Sequence, residues 1–219
     1  MASPGIKILA LLLAVFNAMA LSGQDVQEGD LLFCCPDTAH AITDVTSGVK
    51  GMSIDHVAIF HRIGGEDGLP DVIEANKPAV CLTSIDAFCH ENPDVLIGRM
   101  TVEADVPTSI RRCLAMVGKP YDDLYLPGDS AVYCSELIQM NYVDSPGNLV
   151  FDPIPMSFHD KTGQVTDYWR EFYAKRGMAV PEGAPGSNPG ELSMRSQVSI
   201  VGRIDYRRKK HDIQWFMRK

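Results

Sequence analysis

Positive charge is scarce in this sequence. Lys and Arg number 20 against 28 Asp and Glu in 219 residues, a net charge of −8. Binding a nucleic-acid backbone takes a basic surface, so the balance argues against a nucleic-acid partner. No internal repeat is visible, and the 18 Gly and 14 Pro are spread along the chain, which excludes collagen, a coiled coil and a disordered tail protein. CxxC is absent, and His40, His56, His61, His90, His159 and His211 form neither HxxxH nor HExxH. The sequence therefore carries no zinc signature, and no metal is expected. GxSxG is missing too, and Ser130 in Gly128-Asp129-Ser130-Ala131 lacks the context of a nucleophile elbow. Asp and Glu are plentiful, so a glycosidase-type carboxylate pair is neither picked out nor excluded.

A long apolar run occurs once, at Ile8 to Phe16, after Lys7 and before the small-x-small triplet Ala18-Met19-Ala20. It is shorter than the roughly 20 residues of a membrane span, and polar Ser22 to Asp25 follow. Residues 1–20 are expected to be a signal peptide cleaved after Ala20, giving an exported protein, periplasmic or secreted. Cleavage would remove Lys7 and take the net charge from −8 to −9. Residues 21–219 then make one domain of ordinary size.

Six cysteines stand at 34, 35, 81, 89, 113 and 134. Adjacent Cys34 and Cys35 are too close to bridge one another, and no particular disulfide is expected.

The periodicity predicts a sheet followed by helices. Leu31-Leu32-Phe33 behind Gly29-Asp30 reads as a first buried strand, and residues 36–53 as a loop with room for a short helix. Val57 to Phe60 and Val72 to Ala75 flank a Gly- and Pro-rich stretch and read as a hairpin. Val80 to Thr83 and Val95 to Met100 extend an antiparallel sheet. Helices are expected over 108–117, about 134–142 and 166–176. In the second, Glu136 would sit in the first turn, where a carboxylate suits the helix dipole. In the third, Tyr168 stacks over Phe172 and Trp169 over Tyr173, aromatics that read as core. Residues 181–190, with three Pro and three Gly, read as loop, and Gln197 to Val201 as a strand. Arg207 to Lys210 with Arg218 and Lys219 form the basic cluster, a solvated end that could also be drawn to an anionic surface.

Cys134 follows a helix-breaking Pro127-Gly128-Asp129 segment and begins a helix, where peptide dipoles favour a thiolate. By position alone it reads as a small core filler more readily than as a nucleophile. His56 lies at the start of an apolar strand, where its ring could face a cleft and act as a base. If the hairpin turns near Glu66, Ala58 pairs with Glu74 and His56 with Asn76, which puts Glu74 on the face of His56. A carboxylate there would orient the imidazole; alone, Glu74 reads as a strand-end charge reaching solvent. His61, beside Arg62, reads as surface.

Taken together, Gly29-Asp30-Leu31-Leu32-Phe33, Ile54-Asp55-His56-Val57-Ala58-Ile59, Val72-Ile73-Glu74-Ala75, Gly118-Lys119-Pro120-Tyr121-Asp122 and Tyr133-Cys134-Ser135-Glu136-Leu137 resemble, in that order, the circularly permuted, NlpC-like papain-fold cysteine hydrolases of the YiiX/YebB group. Residues 180–190 resemble that group as well. The resemblance implies an α+β papain-like fold in which the His-bearing strand precedes the Cys-bearing helix, an antiparallel sheet packed with helices. It implies Cys134 as nucleophile, His56 as base and Glu74 as the third group, with Tyr121 and Tyr133 lining the substrate pocket. No metal or organic cofactor is required. The implied substrate is a cell-wall peptide or an N-acyl amino acid. Lipid acyl hydrolysis or acyl transfer, with the basic tail on a membrane, is the alternative, and an inactive member that binds an envelope ligand is another.

Overall fold

The computed structural model describes residues 26–62, 70–128 and 130–207. The expected signal peptide, the hairpin tip at 63–69 and the basic residues after Arg207 lie outside them. Among the described residues no helix is long and apolar enough to cross a membrane.

Six strands form one antiparallel sheet: β1 (Leu31–Cys34), β2 (His56–His61), β3 (Asp71–Ala75), β4 (Val80–Ser84), β5 (Asp94–Met100) and β8 (Val198–Asp205), in the spatial order β4-β3-β2-β1-β5-β8. β6 (Ile154–Pro155) and β7 (Pro185–Gly186) make a separate two-stranded piece. The central strands LLFC and HVAIFH are apolar almost throughout because both faces are covered, so alternate side chains all find a core. Leu31, Phe33, Val57, Ile59 and Ile73 pack on one face with α3 (Val106–Leu114) and α4 (Cys134–Asn141). Leu32, Ala58, Phe60, Val72 and Ile97 pack on the other with Phe88 and Cys89 of α2 (Ile85–Glu91). Each fully buried Phe or Leu contributes roughly 1.5–3 kcal/mol relative to exposure.

The hairpin register follows the sequence expectation. Ile59 lies opposite Ile73 and Phe60 opposite Val72, which continues to Ala58 opposite Glu74. Helix boundaries shift modestly. α3 opens at Val106 because the Asp105 side chain accepts the Thr108 N–H at 3.0 Å. α2 was not expected at all; its start is marked by the Ser84 hydroxyl, which accepts the Ala87 N–H at 3.3 Å, directly after a strand-like run that masks the change of period. The loop of residues 36–53 contains α1 (Ala41–Val45) and a 3-10 turn, and residues 181–190 contain β7 and the start of α6 (Pro189–Leu192). The last strand runs on to Asp205.

Two glycines position the site. Gly29 has φ +82°, and a Cβ there would stand 2.5 Å from Val106, so the turn before β1 needs glycine. Beside it, buried Asp30 holds Arg99 of β5 through two hydrogen bonds of 2.9 and 2.7 Å. Gly190 lets α6 lie against the backbone of Ser47, 2.9 Å from where a Cβ would be. The late loop is thereby clamped onto the segment after α1, and Ser193 adds to the clamp by accepting the Val49 N–H at 2.9 Å.

Candidate active site

Cys134 is the first residue of α4, after an extended Tyr133, and is only 4% exposed. Its own N–H and that of Ser135 belong to the first turn, whose N–H groups have no partner within the helix. β2 brings His56 to this helix end. The imidazole Nε2 is 2.7 Å from Glu74 Oε2 on β3, and Cys134 and Glu74 both act on the charge of the ring; with Nε2 engaged by Glu74, Nδ1 is the nitrogen left for the sulfur. The three residues picked out from sequence are therefore brought together.

The electrostatics follow from that line of contacts. Burial alone would depress the His56 pKa, but hydrogen bonding and charge from Cys134 and Glu74 outweigh it and hold the imidazole up, at about 10. Glu74 is 2% exposed; burial pushes its carboxyl upward, yet His56 and the Thr83 hydroxyl bring it below its ordinary value. Thr83, on β4, donates to Glu74 Oε1 at 2.5 Å, so both carboxylate oxygens are fixed. Sequence reading missed Thr83. The signal was present in the pairing, because Thr83 lies opposite Val72 on the strand next to Glu74, but it required the position of β4.

The other thiols differ from Cys134 in setting. Burial pushes Cys34 well above its ordinary value, Cys35 to about 11, and Cys89 and Cys113 to about 12. Cys81 is also raised by burial. All six cysteines are free.

A cleft opens beside Cys134. It is lined by Ile42, Val45 and Thr46, by Met156, Phe158 and Trp169, by Tyr125 and Tyr133, and by the segment Ser187 to Pro189. Tyr133 lines the cleft, as expected, but its hydroxyl is committed: it accepts the Ser187 N–H at 3.0 Å and faces Met156 Sδ at 3.7 Å. Tyr121 is not among the residues that line the cleft. It is half-buried, and burial raises the pKa of its phenol. The aromatic that reaches the cleft from this loop is Tyr125, edge-on to Tyr133 at 5.4 Å and to Trp169 at 5.6 Å. No periodicity marks Tyr125 in Leu124-Tyr125-Leu126-Pro127.

Three sequence expectations need correction. Tyr168 is 53% exposed and is not core, although it does stack on Phe172 as Trp169 does on Tyr173, because α5 (Asp167–Ala174) buries one face only. His61 is buried, not on the surface, and its Nδ1 is 2.7 Å from Glu28. Glu136 sits in the first turn of α4, as expected, but out of solvent. It is 8% exposed, one carboxylate oxygen has no hydrogen-bond partner, and burial, aided by Asp122, raises it to about 7. Residues 181–190 are not loop throughout: Pro suits the first turn of α6, where its missing N–H costs nothing. Of the basic tail, Arg207 is described and pairs with Asp37 at 2.5 Å.

A thiol at a helix N-terminus with an imidazole and a carboxylate that orients it is the composition that nucleophilic acyl transfer requires. Among the described residues, no group of three or more His, Cys, Asp and Glu gathers as a metal site. Known proteins agree with the fold. A crystal structure of the metalloprotein yiiX from Escherichia coli O157:H7 superposes with a TM-score of 0.66 at 20% identity, covering 82% of this chain and 98% of that one. No curated protein matches the chain. The sequence profile of the permuted papain-like amidase enzymes, YaeF/YiiX, matches residues 25–163, a span that contains His56, Glu74 and Cys134. With the antiparallel sheet, the His-bearing strand ahead of the Cys-bearing helix, and this match over more than half of its length, the chain belongs to the permuted papain-like cysteine amidases of the YaeF/YiiX, C92 family.

Proposed function

We propose that the protein is an exported cysteine hydrolase that cleaves amide bonds of amino-acid-containing substrates, a cell-wall peptide or an N-acyl amino acid, with Cys134, His56 and Glu74 as its catalytic set. The observation that carries this reading is the His56 ring, held by Glu74 Oε2 at 2.7 Å at the helix end that Cys134 begins, with Cys134 and Glu74 together raising the imidazole's pKa. Glu74, held by Thr83, orients the imidazole and favours its cationic form. The thiolate attacks the amide carbonyl, and the negative charge that develops on oxygen faces the Cys134 N–H at the helix start. His56 then gives its Nδ1 proton to the leaving nitrogen, the C–N bond breaks and a thioester remains. A water loses its proton to the same nitrogen, attacks the thioester and releases the acid, which returns the thiol. The signal-like residues 1–20 support export.

The apolar cleft supports a second reading, hydrolysis or transfer of a lipid acyl group. Rapid-quench mass spectrometry separates the two. Incubation with N-acyl amino acids and cell-wall peptides should give an acyl adduct on Cys134 and a free amino compound, both lost in Cys134→Ala. An adduct formed from phospholipid alone would favour the second reading, and no adduct from any of these would reject both.

A further inference from the structure

We infer that Lys77 binds a carboxylate on the leaving half of the substrate, so that the amine released is one that carries an acid group, as the amino acid of an N-acyl amino acid does. This rests on the cysteine-hydrolase reading of Cys134, His56 and Glu74. Position comes first. His56 must protonate the leaving nitrogen, so the leaving group stands on the imidazole side of the sulfur. The β2–β3 register, with Ile59 opposite Ile73 and Phe60 opposite Val72, continues to His56 opposite Asn76. The segment that borders the leaving group is therefore the loop after β3, and the residue that follows Asn76 is Lys77. The cleft beside Cys134 takes in neither His56 nor Lys77, so this corner is separate from it.

The base of Lys77 is fixed by its surroundings. The Tyr121 N–H donates to the Pro78 carbonyl at 3.0 Å, the Val80 N–H to the Lys119 carbonyl at 2.8 Å and the Gly118 N–H to the Val80 carbonyl at 2.9 Å, which laces the loop to residues 118–121. The Lys77 ammonium lies 5.9 Å from the centre of the Tyr121 ring, within the distance at which a ring face attracts a cation. Burial raises the Tyr121 phenol, and charge on Cys134 raises it further, which ties this corner electrically to the nucleophile. Lys77 Nζ is also 2.5 Å from Asp123 Oδ1, but the two side chains are 68% and 52% exposed, and an ion pair so exposed contributes little. An ammonium has three donors, so a substrate carboxylate can join or replace Asp123 without breaking a buried contact.

The acetate esters of p-nitrophenol and of 5-hydroxy-2-nitrobenzoic acid, the same phenol with a carboxylate beside its nitro group, share an acyl half. The ratio of their kcat/KM values, carboxylated over plain and with the Cys134→Ala rate subtracted, therefore reads the leaving half alone. That ratio should fall about three- to fivefold in Lys77→Met, the size of an exposed ion pair, and rise in Asp123→Asn, which removes the competing carboxylate. It should keep its wild-type value in Lys175→Met, whose ammonium pairs with Glu171 on another exposed surface, and should decline with added salt in the wild type. A ratio unchanged in Lys77→Met, or lowered as much in Lys175→Met, would overturn the inference. Alkylation gives a readout that needs no turnover, since iodoacetate and iodoacetamide differ by one charge. The rate of iodoacetate relative to iodoacetamide at Cys134 should fall by a similar factor in Lys77→Met, which upholds the Lys77 assignment even should neither ester be hydrolysed. An unchanged relative rate overturns that assignment and leaves the reactive thiol intact, whereas no alkylation of Cys134 by either reagent rejects both.

Discussion

Replacing Glu136 by glutamine should stabilise the protein at pH 8 and change it little at pH 4.5. The Glu136 carboxyl is buried under the first turn of α4, with one oxygen lacking any partner and the other accepting the Tyr133 N–H. Burial is the main cause of its elevation; Asp122 adds to it and Lys119 opposes it, with the net result a rise from 4.5 to about 7. A carboxyl raised on folding binds more protons in the native than in the unfolded chain. Its cost is therefore absent below about 4.5, grows as pH rises through the interval to 7, and is complete above it. At about 1.4 kcal/mol per pKa unit, the cost at pH 8 is about 3 kcal/mol, equivalent to about 6–12 °C in Tm for a chain of this size. Glutamine keeps an oxygen for the Tyr133 N–H and removes the charge. Thermal or urea unfolding of both proteins at pH 4.5 and pH 8 gives the test, since the groups common to both cancel in the difference. A variant less stable than wild type at pH 8, or shifted equally at both pH values, would refute the reasoning.

Three further outcomes follow from the same contacts. Thr83→Val orphans Glu74 Oε1 and should lower kcat/KM about tenfold, with Thr83→Ser restoring it; wild-type activity in Thr83→Val would remove Thr83 from the account. In Cys134→Ala the His56 pKa should fall from about 10, because a partner that raises it is gone while burial, which lowers it, remains. Imidazole titration by NMR reads this directly, and an unchanged value would mean that the thiol does not engage the ring. By linkage, the stability that His56 gains from its partners is fully present below its unfolded value of 6.5 and is lost as pH rises through about 10. Tyr133→Phe leaves the buried Ser187 N–H without its acceptor and should cost about 1–3 kcal/mol by urea denaturation; no loss would show that the phenol is dispensable.

The hairpin and its register were legible because side chains alternate with a period of two, so one assumption about the turn fixed which residues share the face of His56. Cys134 was legible because Pro and Gly stop the chain just before an apolar helix begins. The cleft was not. Its walls come from residues 42–46, 125–133, 156–158, 169 and 187–189, segments brought together by tertiary contacts such as Gly190 against Ser47, which leave no local pattern. Tyr121 and Tyr125 sit four residues apart in one loop, and only the fold decides which reaches the cleft. The place of Glu136 in the first turn was legible, but its burial was not, because no local pattern marks what packs over a helix start.

The central claim, that His56 activates Cys134, is tested most directly by alkylation with iodoacetamide as a function of pH, mapped by peptide mass in wild type and in His56→Ala. The account predicts that Cys134 is modified first near neutral pH, ahead of Cys34, Cys35, Cys81, Cys89 and Cys113, whose thiols burial holds protonated, and that the mutation slows Cys134 alone. A Cys134 no faster than the other five, or indifferent to the loss of His56, would contradict it.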